Sequence, residues 1–349
     1  MLQYNTSTLQ INSLSIPIRP FMKNIQIDNR IYSMIAQSEE TQNVQLPPGF
    51  PALFDLSYLS VIEVTGNKSM EFLQGQLTCD ISKINSETMR QAAFCNLKGR
   101  ILALANIINW QNYQLILPQD LTEKTIESLN KPAMLSRVQL RAASDLSVFG
   151  LYAPPHSQAL AHFGITLPTE QYAVVSSQML CCFSLGNGFY QIISKDNDIR
   201  NYFDKTGHLF GSAAWHQLQL LQKRIEIYPS SRGLFLPHRV DLHLAGYLDF
   251  QKGCYKGQEI IARTHYKATL KHKLAVFFIE TGEDLQLGQR VLREDKSTEV
   301  GEVIDYCPIG LNRYLVAISI LFEHPETVYF ENHAQAVKLS KAEYRIPEE

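Results

Sequence analysis

Between Lys252 and Glu259 the chain reads Lys-Gly-Cys-Tyr-Lys-Gly-Gln-Glu, a thiol set among two lysines and two glycines. Gly253 and Gly257 tolerate backbone angles that other residues resist, so the chain can bend sharply on both sides of Cys254. From Gln258 the run Glu-Ile-Ile-Ala-Arg suits the first turns of a helix, with Glu259 at the positive end of its dipole. Cys254 is therefore expected just before a helix N-terminus with Lys252 and Lys256 beside it. A thiol so placed loses its proton more readily than a free cysteine, whose pKa is about 8.5. The chemistry on offer is that of a thiolate, as a nucleophile or as one ligand of a shared iron–sulfur cluster. A small buried hydrophobe in a tight turn would leave the same pattern.

Around the thiol the chain is basic. Lys252, Lys256, Arg263, Lys267, Lys271 and Lys273 stand against one acid, Glu259, an excess of 6 − 1 = +5 over residues 252–273. Such a strip can hold a chain of carboxylates by charge-assisted hydrogen bonds, or RNA phosphates through counterion release, with Tyr255 and Tyr266 available to stack on bases. It can equally be a solvated positive face. His265 and His272 lie seven apart and Cys254 eleven before the first, which fits no compact zinc spacing.

The elements that must position this segment come from a chain of 349 residues, 45% hydrophobic and 19% charged, with a net charge of −2. That is the balance of a globular protein of two or three packed units. It carries no global bias towards nucleic acid or membrane, and no run of about 18 apolar residues occurs. The six cysteines, Cys79, Cys95, Cys181, Cys182, Cys254 and Cys307, show no paired zinc or redox spacing, which favours reduced thiols in a cytoplasmic setting. The adjacent Cys181 and Cys182 read as core packing.

Residues 1–50, rich in Asn, Ser, Gln and Thr and ending in Gln45-Leu46-Pro47-Pro48-Gly49, have the composition of a flexible arm and linker. The first 27 carry Arg19 and Lys23 and no acid, faintly like a transit peptide, but the reading favoured is a bacterial extension. From residue 51 the patterning predicts strand, helix, three strands and helix, then a similar unit from Leu146 to Lys205 with a helix over Ser157 to Phe163. The first unit's second helix, Asp120 to Leu129, is expected to stop at Pro132. A further helix spans Ala213 to Arg224, and beyond Leu274 short alternating strands predict a small β-barrel.

Four stretches together resemble one family. Phe72-Leu73-Gln74-Gly75-Gln76-Leu77-Thr78-Cys79-Asp80, Ala92-Ala93-Phe94-Cys95-Asn96-Leu97-Lys98-Gly99-Arg100, Phe235-Leu236-Pro237 and the cysteine segment itself are similar, in the same order, to elements of the YgfZ family of folate-binding proteins. These are relatives of the aminomethyltransferase (T protein) of the glycine cleavage system. The resemblance implies an α+β, three-domain aminomethyltransferase-like fold, with two ferredoxin-like α/β domains and a C-terminal β-barrel. Its implied layout is residues 51–144 with 212–270 as a folate-binding-like domain carrying the cysteine loop, 145–211 as a second α/β domain, and 271–349 as the barrel.

The resemblance also implies tetrahydrofolate or a derivative as cofactor and a role in synthesis or repair of 4Fe-4S enzymes that modify tRNA, with iron–sulfur enzymes or assembly proteins as partners. Cys254 would be the essential chemical group. Lys252, Tyr255, Gln258, Glu259, Arg263, Lys98 and Arg100 would shape the loop or hold the anionic ligand. Trp215 matches a tryptophan associated with folate, and a flat ring can stack on a pterin. Three positions depart from the pattern. Ala103 and Leu104 stand where the aminomethyltransferases carry a pair of aspartates, so no carboxylate there can assist the folate nitrogen and glycine cleavage is not expected. Leu59 replaces a second tryptophan, and Leu221 replaces the acid that meets the pterin. A folate-dependent one-carbon transferase and an RNA-binding module are the rival expectations.

Overall fold

The computed structural model describes residues 22–35 and 49–342. The linker residues Gln45 to Pro48 and the first 21 residues lie outside the described residues, so the transit-peptide question falls there. Within the expected arm, however, stands a hairpin. β1 (Met22–Ile27) pairs antiparallel with β2 (Arg30–Ile35) across a tight turn at Asp28 and Asn29, where Asp28 has φ 53°. Its inward residues are Ile27, Arg30 and Tyr32, all buried, while Ile31 faces solvent. A stretch read as linker by composition is thus part of the core, because a buried arginine finds acidic partners far away in the chain.

The next elements are β3 (Ala52–Asp55), β4 (Leu59–Thr65), α1 (Ser69–Gln76), β5 (Arg90–Cys95), β6 (Ile101–Trp110), β7 (Asn112–Pro118), α2 (Gln119–Ser136) and β8 (Gln139–Ala142). Five of the strands form one antiparallel sheet in the order β5-β6-β7-β4-β8. α2 runs through Pro132 instead of stopping before it and ends at Arg137 in the left-handed conformation. The backbone NH of Arg137 donates to the Ala133 and Met134 carbonyls, which closes the last turn despite the proline.

β9 (Ser147–Tyr152), β10 (Val174–Ser176), β11 (Leu180–Gly186), β12 (Phe189–Ser194), α3 (Asp198–Lys205) and β13 (Leu209–Phe210) build a second sheet in the order β10-β11-β12-β9-β3-β13. It recruits β3 from the other end of the chain, with β13 parallel to it. Cys181 and Cys182 on β11 are fully buried, as expected of a strand packed on both faces. The expected helix from Ser157 to Phe163 is only a 3-10 turn, Ala161–Phe163. Pro154 and Pro155 precede that segment and Gly164, at φ 70°, closes it within four residues.

α4 (Ser212–Leu221) is buried along almost its whole length, and α5 (Gln258–Lys267) follows a long irregular segment. The chain then forms β14 (His272–Glu280), β15 (Arg290–Leu292), β16 (Glu299–Gly310), β17 (Arg313–Leu321), β18 (Thr327–Phe330), β19 (Val337–Lys338) and β20 (Ser340–Lys341). These seven strands make a nearly closed barrel in the order β19-β18-β15-β16-β17-β14-β20 around Val291, Val300, Val316, Ile318 and Ile320.

Candidate functional site

All four sequence stretches that drew attention meet at one place. Lys252, although charged, is only 8% exposed. Its Nζ donates to the carbonyl oxygens of Gln74, Leu77 and Cys79 at 2.8, 2.7 and 2.7 Å, capping the C-terminal end of α1 where carbonyls lack helical partners. Burial lowers its pKa to about 8, opposed by the Cys79 thiol and by Asp80 and Asp249. Four residues on, Lys256 donates its backbone NH to the Gly75 carbonyl at 3.0 Å. Thr78 completes this side: its hydroxyl donates to the Tyr247 carbonyl and accepts from the Ala93 NH, and its carbonyl accepts from the Asp249 NH.

The second stretch lies on the other side of the loop. Asn96 shapes the turn through Arg100: its side-chain oxygen accepts from the backbone NH of Lys98 at 2.9 Å and of Arg100 at 3.0 Å. Gly99 and Gly257 both have positive φ, 69° and 85°, and pack backbone to backbone. The Ile101 NH donates to the Phe235 carbonyl, the Gly233 NH to the Ile101 carbonyl, and the Arg100 guanidinium to the Leu234 carbonyl, so the Phe-Leu-Pro stretch is tied in as well.

Held by these contacts, Cys254 is the one exposed cysteine among the six. Tyr255 beside it is buried; its ring lies 5.0 Å from Lys252 Nζ, its hydroxyl finds no hydrogen-bond partner among the described residues, and burial pushes its pKa up. Gln258 accepts from the Tyr255 NH at 3.3 Å. Glu259 and Arg263 point outward from α5, and Lys98 and Arg100 are exposed on the facing loop. Of the residues expected to touch an anionic ligand, Lys252 is instead enclosed by carbonyls, whereas Arg263, Lys98 and Arg100 face solvent.

Trp215 lies elsewhere, on the wall of a cleft lined also by Leu59, Gln91, Leu104, Asn106, Gln191, Gln219, Glu226 and Tyr247. The indole is 3% exposed and packs on Phe54 and Phe189 with ring centres 5.3 and 5.7 Å apart, so it serves the core as much as the cleft. A row of polar groups crosses the cleft. Gln91 Nε2 donates to Tyr247 Oη and to Asn106 Oδ1, both at 3.0 Å, and Asn106 Nδ2 donates to Gln191 Oε1 at 2.7 Å. Buried Gln219 accepts from Arg224 through its oxygen, while its Nε2 has no partner among the described residues.

Neither Leu59 nor Leu104 brings charge to this cleft, and Leu221 does not line it. The acid there is Glu226, which accepts from the Arg30 guanidinium and from the hydroxyls of Tyr32 and Tyr58. Sequence reasoning missed Glu226 and the amide row because amides scattered over four elements leave no local pattern. Among the described residues no three His, Cys, Asp or Glu side chains are arranged to hold a metal ion.

No family model matches the chain. It is 27% identical over 241 residues to the tRNA-modifying protein YgfZ of Colwellia psychrerythraea, covering 68% of this chain and 73% of that protein. It is 28% identical over 247 residues to the protein of the same name from Klebsiella pneumoniae, with 67% and 76% covered. The chain is a homologue of these YgfZ proteins. Among solved structures, the glycine cleavage system aminomethyltransferase T from Bartonella henselae superposes with a TM-score of 0.69 at 15% identity, over 93% of this chain and 95% of that one. The fold is therefore the aminomethyltransferase fold that the four stretches implied.

Proposed function

We propose that this chain is an accessory protein of tRNA modification, and that it acts in the cytoplasm by supporting synthesis or repair of 4Fe-4S enzymes in a folate-dependent way. The observation that carries the reading is the convergence of α1, the Asn96 to Arg100 turn and the Phe235 segment on one loop that presents a single exposed thiol. Three carbonyl contacts to one buried ammonium are a costly way to fix a loop that has no task. The names of the homologues support the link to tRNA modification.

Folate fits the cleft by the chemistry of its donors. A flat heteroaromatic ring could lie along Trp215 while Gln91, Asn106, Gln191 and the unpartnered Gln219 Nε2 meet its polar edge. Tetrahydrofolate, when bound, supplies a carrier for one-carbon groups. This chain's residues orient the ring and exclude water, and the strand positions Ala103 and Leu104 offer no group to move a proton.

The test is the thiomethylation level of tRNA in a strain lacking the gene, rescued with the wild-type chain or with Cys254→Ala. Restoration by the wild type alone, with the variant folded, supports both the role and the thiol. Restoration by both removes Cys254 from the reading, and restoration by neither removes the accessory role. A folate-dependent one-carbon transferase is the alternative. It requires turnover of a methylamine donor by the purified protein, and against it stands the engagement of Glu226, the one carboxylate lining the cleft among the described residues, by Arg30, Tyr32 and Tyr58.

A further inference from the structure

The basic strip does not line the cleft: Arg263, Lys267, Lys271 and Lys273 are absent from its wall, as are Lys98 and Arg100. On α5, Arg263, His265, Tyr266 and Lys267 are all exposed, Tyr266 by 68%. The Asn96 to Arg100 turn lies against the start of this helix, since a methyl group on Gly99 would meet Ile260 and Ile261 at 3.2 Å. Its tip shows Leu97, 78% exposed, and the cations Lys98 and Arg100. With Glu259 the only acid of α5, this face carries 4 − 1 = +3 from Lys98, Arg100, Arg263 and Lys267.

The exposed rings do not stand alone. His265 stacks on Phe250 with centres 3.7 Å apart and planes at 15°, and Tyr266 meets both edge-on at 4.8 and 6.0 Å. Behind them His238, 5.8 Å from His265, continues the tier, with half-buried His243 beside it at 4.9 Å. His238 is 2% exposed and neither of its ring nitrogens has a partner among the described residues. A backed aromatic tier edged by cations is the arrangement with which proteins hold unpaired nucleotides: rings take the bases and the cations take the phosphates.

We infer that the exposed face of α5 and the facing Asn96 to Arg100 turn bind unpaired RNA nucleotides, with Tyr266 and His265 stacking on bases and Arg263, Lys267 and Lys98 meeting phosphates. The inference deepens the tRNA-modification reading and rests on it for the choice of an RNA over an acidic protein. It places the RNA on the same loop and helix that carry Cys254.

The test is fluorescence anisotropy of the full chain with an unmodified tRNA transcript and with a short single-stranded RNA, over a series of salt concentrations. Three phosphate contacts predict that log K falls with log salt with a slope of about −2. Tyr266→Ala is expected to weaken binding about 10-fold with the slope unchanged. Arg263→Gln with Lys267→Gln is expected to lower the slope by about 1.4. All three side chains are exposed, so folding is spared. The inference is overturned if neither RNA binds at low salt, if Tyr266→Ala binds as the wild type does, or if a polyglutamate peptide competes as well as the RNA. If RNA fails to bind while the wild-type chain still restores tRNA modification in the deletion strain, only the docking face falls. If the chain restores nothing, the accessory role falls whatever the anisotropy shows.

Discussion

Lys252 Nζ lies 2.7 Å from the Leu77 carbonyl oxygen, and this contact across 175 residues of chain joins the cysteine loop to the end of α1. The ammonium also caps Gln74 and Cys79, so its loss removes the donor from three carbonyls, those of Leu77 and Cys79 buried and that of Gln74 part-buried. Lys252→Met keeps most of the apolar stem and removes only the charge. Urea denaturation is expected to show a loss of about 2–4 kcal/mol. Labelling of Cys254 by a thiol reagent should quicken at the same time, because the loop loses its tether. Unchanged stability would show that the ammonium leaves the carbonyls for water in solution.

A methyl group on Gly257 would sit 2.4 Å from the Asn96 carbonyl oxygen, and the residue holds φ 85°. Gly257→Ala therefore meets backbone on one side and an unfavourable dihedral on the other, with no flexible side chain to yield. A loss of about 2–3 kcal/mol is expected, measured as a lowered thermal midpoint. Gly253→Ala is the control, since a methyl group there meets nothing within 4 Å. Equal midpoints for the two variants would mean that the two turns do not touch.

The cysteine loop was readable in sequence because glycines, cations and a helix start fall within eight residues. Its partners were readable only as separate stretches, since the Lys252 carbonyl cage is a fact of three dimensions. The barrel strands were legible from their alternation, and Pro132 was misread because a proline's cost inside α2 is offset by burial of Leu129 and Ala133 on either side of it. The hairpin was missed for a sharper reason. Alternation in β2 points the arginine and the tyrosine inward and Ile31 outward, the reverse of the usual pattern, and distant partners, above all the carboxylates of Asp120 and Glu226, make that tolerable. The turn at Asp28 and Asn29 was the signal that could have exposed it.

That burial makes Arg30 a test of the hairpin. Its guanidinium donates to both oxygens of Asp120, at 2.8 and 3.0 Å, to Glu226, and to the Ile227 carbonyl at 2.7 Å. Arg30→Met strands two carboxylates in a poorly solvated place, at a cost of about 3–5 kcal/mol. Ile31→Ser on the outward face should change stability by less than about 0.5 kcal/mol. Because Glu226 lines the cleft, Arg30→Met should also alter any quenching of Trp215 fluorescence by added tetrahydrofolate. Denaturation and quenching titrations on the two variants check both points, and an Arg30→Met protein as stable as Ile31→Ser would remove the hairpin from the core.

The imidazole of His238 gives the fold a dependence on acid. Burial, with His243 and His265 close by, brings its pKa from 6.5 down to about 4. The charged form is thus disfavoured in the fold, and the unfolded chain takes up the proton first. Stability is full above pH 6.5 and is lost as pH falls from there to about 4, by up to about 3 kcal/mol from this group. His238→Phe replaces an unpartnered polar ring by an apolar one of similar shape, so stability at pH 7 should hold within about 1 kcal/mol. Denaturation at pH 7, 6, 5 and 4 should then show a shallower acid slope for the variant than for the wild type. Parallel slopes would assign the acid sensitivity to other groups, His272 first among them, whose pKa burial and the nearby Arg239 and Lys271 also bring down to about 4.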